Sequence, residues 1–438
     1  MRETLALTAF INVRLIDPAT GYDGPGEVLI GGGEVLAAGP NALAGGFDAD
    51  TVVIDGDGHA LMPGLVDLRV SCGEPGSEHR ETIKTVGRAA VAGGVTTIVM
   101  QPDTNPVIDD AALVDFVLRR GRDRSLARMV PAGALTKGLD GQTMAEIGLM
   151  AEAGAALFSN GSRAISDSRV MRRLLSYATG FDALVSVRPE DPWLSKGGCM
   201  NEGELAARLG VPSIPAAAEH IYAQRDLALA ELTGGRLLLD MISSAGTLPS
   251  LARAKEKGLD VSASVSIHNL TLNETDVGDY RTFAKLSPPL RSEEDRIALI
   301  DAVRSGLVDI IVSGHDPRPA EEKRLPFDEA SFGASALEIL LPAALTLWHE
   351  GSIELIDLVR AMTQKPADLL DMGMGRLTPG APADLILVDL GYPFIFDADT
   401  MRSKCKNSPY DGRRMQGRVL ETWVGGAKVF DVETGFLH

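Results

Sequence analysis

The sequence predicts an α/β fold: a (β/α)8 TIM barrel carrying a small composite β-sandwich domain assembled from both termini. Three observations lead there. A chain of 438 residues is too long for one small core and suits a large barrel plus a smaller domain. Its middle alternates eight short apolar runs with amphipathic segments of helix length. Its two ends are rich in strand residues broken by glycine turns.

Residues 1–57 read as short strands. LALTAFINVRLID is β-rich, GEVLIGGGEVLAAG is two strands turning at Gly31–Gly33, and TVVIDGDG follows. The barrel is expected over 58–373. Its strand candidates are 65–70, 95–100, 128–134, 155–158, 183–188, 237–242, 260–265 and 309–313. Helices such as HRETIKTVGRAAVAG, TMAEIGLMAEAG, DSRVMRRLLSYATG and SEEDRIALIDAVRSG lie between them. Residues 374–438 return to strand character, with a turn at Gly425-Gly426. The net charge of −18 argues against nucleic acid or an anionic membrane as the main partner. Three cysteines without metal-type spacing point to a reducing cytoplasm, and no apolar run approaches the length of a membrane span.

In a barrel of this kind, chemistry sits at the C-terminal ends of the strands. Metal-assisted hydrolysis there needs three or four His, Asp or Cys side chains to hold zinc, which lowers the pKa of a bound water. Of seven histidines only His268 and His315 fall at strand ends, with Cys72 the one cysteine near the mouth. The expectation is that these three pack or hydrogen-bond. Gly31–Gly33 is a hairpin turn and not a phosphate loop, since no Gly-Lys-Ser/Thr follows. Lys137 reads as a solvated or ion-paired lysine, and Ser243-Ser244 lacks a placed histidine base.

Long runs carry a family resemblance. MPGLVDLRVSCGEPG, AAVAGGVTTIVMQPDTNPVID, GGCMNEGELAARLGVPSIPAAAE, VGDYRTFAKLSPPLRSEEDR, LPFDEASFGASALE and GAPADLILVDL together resemble bacterial dihydroorotases of the amidohydrolase superfamily, the type that associates with aspartate transcarbamoylase. The likeness spans essentially the whole chain. It implies an amidohydrolase-type barrel, and it marks where that family keeps its chemistry. At the positions of the metal ligands this chain has Arg69, Ser71, Asn160, Arg188 and Met241. At the substrate positions it has Gly73, Asp103, Ser287 and Arg318, with Phe332 and Gly333 retained. The catalytic aspartate is Gly314, so no catalytic residue is assigned. Glu74, Glu190, His315 and Pro317 survive as frame.

Arginine stays protonated and only donates, so Arg69 and Arg188 cannot take the place of zinc-binding histidines. Each buried guanidinium needs a carboxylate, and Glu74, Asp103, Glu190, Asp191 and Asp316 lie nearby in the motifs. The favoured expectation is a self-neutralised ion-pair plug. The sharper one is a vestigial anion pocket made by Arg69, Arg188 and Arg318. Two functions follow from the resemblance. One is an inactive dihydroorotase-like protein of pyrimidine biosynthesis, holding no cofactor and acting as a partner of aspartate transcarbamoylase. The other is an active cyclic amidohydrolase, binding zinc at a non-standard site. The resemblance further implies a homodimer or mixed oligomer.

Overall fold

The computed structural model describes residues 7–437. Eight parallel strands form the barrel: Leu65–Val70, Val95–Met100, Arg128–Ala134, Leu157–Ser159, Val185–Val187, Leu237–Leu239, Val261–Ser266 and Ile310–Val312. They pair in chain order. The eighth meets the first through a bridge between Val70 and His315, where the Ser71 N–H donates to the His315 carbonyl at 2.8 Å. Three of the eight ranges match the sequence reading to the residue. The others are shorter or shifted by one or two positions, because chain that is apolar but no longer hydrogen-bonded to a neighbour turns into the loops at the mouth.

Val66, Leu68, Val99, Ala132, Leu157, Leu238, Ile310 and Val312 form one apolar cluster inside the barrel. A larger cluster packs the outer strand faces against the surrounding helices. The helix expected to open at His79 opens instead at Ile83. Thr82 caps it, its Oγ1 accepting from the Thr85 N–H at 3.1 Å, and the residues before it form turns at the mouth.

The two chain ends combine as expected, with a difference. Nine strands form one hydrogen-bonded sheet rather than two separate ones: eight follow a single path and Val52–Asp55 branches from it by pairing with Thr8–Ile11, around a core that includes Phe10, Val28, Val35, Leu385 and Trp423. Ala60–Pro63, which the sequence reading placed in the barrel, belongs to this sheet. It pairs antiparallel with Leu385–Val388 and parallel with Arg14–Leu15, stitching the N-terminal strands to the C-terminal ones. Gly64 then lets the chain cross into the barrel, where an added Cβ would collide with the Thr96 side chain. No helix among the described residues is long and apolar enough to cross a membrane. Cys72, Cys199 and Cys405 are all free and buried.

Candidate functional site at the barrel mouth

Arg69 and Ser71, two residues apart at the end of the first strand, both line the cavity at the mouth. Asp67, two residues before Arg69 on the same strand, accepts the Arg69 N–H at 3.1 Å and the Ser313 N–H at 3.3 Å, tying the first strand to the eighth. The Arg69 guanidinium uses every nitrogen. Nη1 donates to Gln101 Oε1 at 2.6 Å, Nη2 donates to Ser162 Oγ at 2.8 Å, and Nε lies 3.4 Å from Asp240 Oδ2. Arg69 and Asp240 are both almost fully buried. Asp240, at the end of the sixth strand, was absent from the carboxylates the sequence suggested. A residue 171 positions from Arg69 becomes its counter-ion only because the barrel brings the two strand ends together.

Arg188 at the end of the fifth strand donates through Nη2 to Glu190 and to Ser287 Oγ, which bonds a position that the resemblance marked for a metal ligand to one that it marked for substrate. Asn160 is buried beside the third strand and accepts from Thr136 Oγ1 at 2.8 Å. Asn160 and Arg188 line a separate, smaller hollow. Met241 adopts a left-handed backbone at φ 52° and fills the space before Gly314, where an added Cβ would lie 3.3 Å from the Met241 sulfur. Gly314 itself has φ 64°.

Ser71 Oγ donates to Asp103 Oδ2 at 3.3 Å at the exposed rim. Arg318 turns away from the cavity. Its Nη2 donates to Asp316 Oδ2 at 2.6 Å, and its Nη1 lies 3.8 Å from Glu322 Oε2. Phe332 offers its ring to the Lys285 ammonium, 4.7 Å from the centroid. Gly333, at φ 123°, donates its N–H to the Lys285 carbonyl, and its backbone passes too close to Asp316 for a Cβ. Gly73 stands apart from the cavity, folded against Ser77 and Glu81.

The three arginines therefore do not converge. Only Arg69 reaches the mouth cavity, and each guanidinium meets its own carboxylate: Asp240, Glu190 and Asp316 respectively. The common anion pocket of the sharper expectation is not assembled, because Arg188 lines a separate hollow with its Nη2 held by Glu190 and Ser287, and Arg318 folds back onto Asp316. Glu74 and Asp191 serve elsewhere. Glu74 pairs with Arg120 at 2.8 Å and accepts the Ile83 N–H, while Asp191 accepts the Trp193 N–H.

The donor set does not fit zinc. His315 Nδ1 accepts the Ala336 N–H at 3.0 Å, which occupies that lone pair and turns Nε2 toward Glu81, 3.8 Å away. Cys72 packs in the cluster between the strands and the surrounding helices, where burial pushes its thiol up and disfavours the thiolate that binds metal. His268 stacks on Tyr410 with centroids 5.6 Å apart. Among the described residues no three His, Cys, Asp or Glu side chains are placed to hold one ion. The cavity at the mouth amounts to about 20 Å³, room for one water. Pockets that bury a small organic ligand are on the order of 300 Å³ or more.

Burial drives the His268 pKa down to about 3, with the neighbouring positive ends of His315 and Lys323 acting in the same sense. A folded-state pKa below the ordinary histidine value means that the unfolded chain takes up the proton first. The stability tied to neutral His268 is full above pH 6.5 and is lost as pH falls toward 3, by on the order of 4 kcal/mol. His268→Phe keeps the stacking on Tyr410 and removes the titration. Denaturant midpoints measured from pH 7 to pH 4 are expected to fall less steeply in that variant than in the parent chain.

The long matching runs find their structural reason below the mouth. Glu219 accepts from the Ser243 N–H at 2.9 Å, the Ser244 N–H at 3.1 Å and Thr247 Oγ1 at 2.7 Å. Arg291 donates to Ser243 Oγ, Asn201 Oδ1 and the Ile214 carbonyl. All of these are buried or nearly so, and they cross-link four separate stretches of chain. Sequence reasoning passed over Glu219 and Arg291, since a buried carboxylate and a buried arginine far apart in the chain reveal their shared purpose only when brought together.

Comparison with known proteins places this geometry. A family model described as dihydro-orotase-like matches residues 58–246, and one for the amidohydrolase family matches 236–434. A dihydroorotase of Anaplasma phagocytophilum is 39% identical over 432 residues, covering 97% of this chain and 95% of that one. A dihydroorotase of Desulforapulum autotrophicum is 40% identical, with 87% and 89% covered. Among solved structures, an L-hydantoinase (dihydropyrimidinase) from Arthrobacter aurescens superposes with a TM-score of 0.88 at 26% identity, covering 98% of this chain and 97% of that one. A dihydropyrimidinase from Brevibacillus agri, 22% identical, shares the fold with a TM-score of 0.85.

Proposed function

We propose that this chain, which belongs to the dihydroorotase-like family of amidohydrolases, is a catalytically inactive member that acts as a structural or regulatory partner of aspartate transcarbamoylase. One observation carries the loss of activity. A buried guanidinium, Arg69, stands at a metal-ligand position with its nitrogens engaged by Gln101, Ser162 and Asp240. A permanently protonated donor at that place repels a metal cation instead of binding it. Two further features support the reading. Gly314 has no side chain to take a proton from water, and the remaining cavity of about 20 Å³ is far smaller than a dihydroorotate ring needs.

The partner rests on the resemblance to dihydroorotases of the type that associates with aspartate transcarbamoylase. A frame kept intact around an emptied site fits a protein retained for its surface. Such a protein works as a homodimer or within a mixed assembly.

Metal analysis and a dihydroorotate assay on one purified sample test the first half. The expected result is zinc well below one per chain and turnover at background. Stoichiometric zinc together with turnover above background would instead establish an active cyclic amidohydrolase with a non-standard site. Co-expression with aspartate transcarbamoylase from the same source tests the second half. The two are expected to co-purify, and a failure to co-purify or to alter that enzyme's assembly or activity rules this partner out.

A further inference from the structure

Within a chain of net charge −18, residues 402–418 run against the trend. They hold Arg402, Lys404, Lys406, Arg413, Arg414 and Arg418 against a single carboxylate, Asp411. Three of these cations are engaged internally. Lys404 donates to the Glu78 carbonyl, Lys406 donates to the Met401 carbonyl, and Arg413 pairs with Asp276. Arg402, Arg414 and Arg418 are exposed, and none of them pairs with a carboxylate among the described residues. Two of them lie over aromatic rings, Arg418 at 5.0 Å from the Tyr392 centroid and Arg402 at 5.8 Å from that of Phe436.

These arginines surround an apolar ridge at the end of strand Leu385–Ile395. Ile395 is 66% exposed and Tyr392 39%. Ile395 sits directly across from Arg414 in the antiparallel register. A hollow lies on either side of the ridge. One, of about 690 Å³, is lined by Thr346, His349, Phe394, Ile395 and Met415, with Arg414 at its rim. The other, of about 400 Å³, is lined by Phe394, Phe396, Val419 and Phe430, with Arg402 and Arg418. The carboxylates close by are partly committed. Glu338 accepts two backbone N–H groups, from Arg402 and Ser403, and Asp397 accepts the Asp399 N–H, which leaves Glu350 at the outer edge of the larger hollow.

We infer that this face docks an acidic segment of a partner protein, its apolar side chains entering the two hollows beside Ile395 and its carboxylates meeting Arg402, Arg414 and Arg418. Exposed arginine, tyrosine and isoleucine around a hollow are the side chains from which interface anchors are built. The charge disfavours a symmetric pairing of this face with itself. A two-fold axis through the ridge would set the same arginines against one another. The inference rests on the reading that the protein works by association, and it adds where the contact is made and what chemistry it selects.

The test uses the full chain and a fluorescein-labelled peptide, Asp-Glu-Leu-Phe-Asp-Leu-Glu, followed by anisotropy at low salt. Two control peptides replace the acidic residues by lysine or the apolar ones by serine. The acidic apolar peptide is expected to bind in the micromolar range, and both controls to bind at least about tenfold more weakly. The triple variant R402E/R414E/R418E is expected to lose about tenfold or more in affinity while keeping the parent circular dichroism spectrum and melting temperature. Ile395→Asp, which leaves all three arginines in place, is expected to weaken binding as well. No binding at about 1 mM peptide, or equal binding by the triple variant, overturns the inference. If either occurs while aspartate transcarbamoylase still co-purifies, the docking face alone is wrong and the association reading stands.

Discussion

Arg69→Met lowers the stability of the barrel by about 3–5 kcal/mol, read as a shift of the denaturant midpoint. The reason is the charge left behind. Asp240 is buried and, among the described residues, has Ser264 Oγ as its one hydrogen-bond donor, at 2.9 Å, and Arg69 as its one counter-ion. Gln101 Oε1 and Ser162 Oγ lose their donor in the same step. Asp240→Asn alone is expected to cost a comparable amount by stranding the guanidinium. The double variant R69M/D240N is expected to recover most of the loss, since removing both ions removes both desolvation penalties. Non-additivity of at least about 1 kcal/mol in this cycle is the signature of an ion-pair plug. Additive losses would mean that Arg69 is held by its neutral neighbours, and the plug would have to be abandoned.

Gly73→Arg is expected to destabilise the fold by more than about 3 kcal/mol. The obstacle is space. A Cβ on Gly73 would enter the van der Waals shell of the Ser77 carbonyl oxygen and stand 2.8 Å from that of Glu81. The loop cannot easily yield there. Glu81 is fully buried, accepts from Ser403 Oγ and the Lys404 N–H, and faces His315. Gly73→Ala should therefore already show much of the effect. Gly45→Arg, at a glycine with open space around it, should show almost none. Thermal unfolding of the three variants decides the matter, and a Gly73→Arg protein as stable as the parent would show that the loop re-forms. The backbone around Gly73 is packed for a residue without a side chain.

Both cases show which part of this molecule could be read in one dimension. The barrel was legible because alternation of apolar runs and amphipathic helices is a local pattern, repeated eight times, and each unit declares itself within about 15 residues. The composite end domain was legible for the same reason, through its glycine turns. Ala60–Pro63 was not. An apolar tetrapeptide looks the same whether it continues into a barrel strand or pairs with Leu385–Val388, and the choice is made by a partner more than 320 positions away. The identities at the positions that the resemblance marks for metal ligands were legible too. An arginine is a donor and a cation in any surroundings, so Arg69 and Arg188 counted against a zinc site before any coordinates were considered.

Fold class and the chemistry that each site residue can offer could be read along the chain, since they depend on periodicity and side-chain type, and the family could be read from long matching runs. Which side chains meet was set by the folded chain. It set Asp240 rather than Asp103 or Glu74 against Arg69, joined Arg188 to Ser287, turned Arg318 away from the mouth and closed the cavity to about 20 Å³. It also brought Arg402, Arg414 and Arg418 around Ile395 on the outer face. Electrostatic pairing and steric closure fall off over a few ångströms, and distances of that size between strand ends and loops come from the closed barrel and not from spacing along the chain.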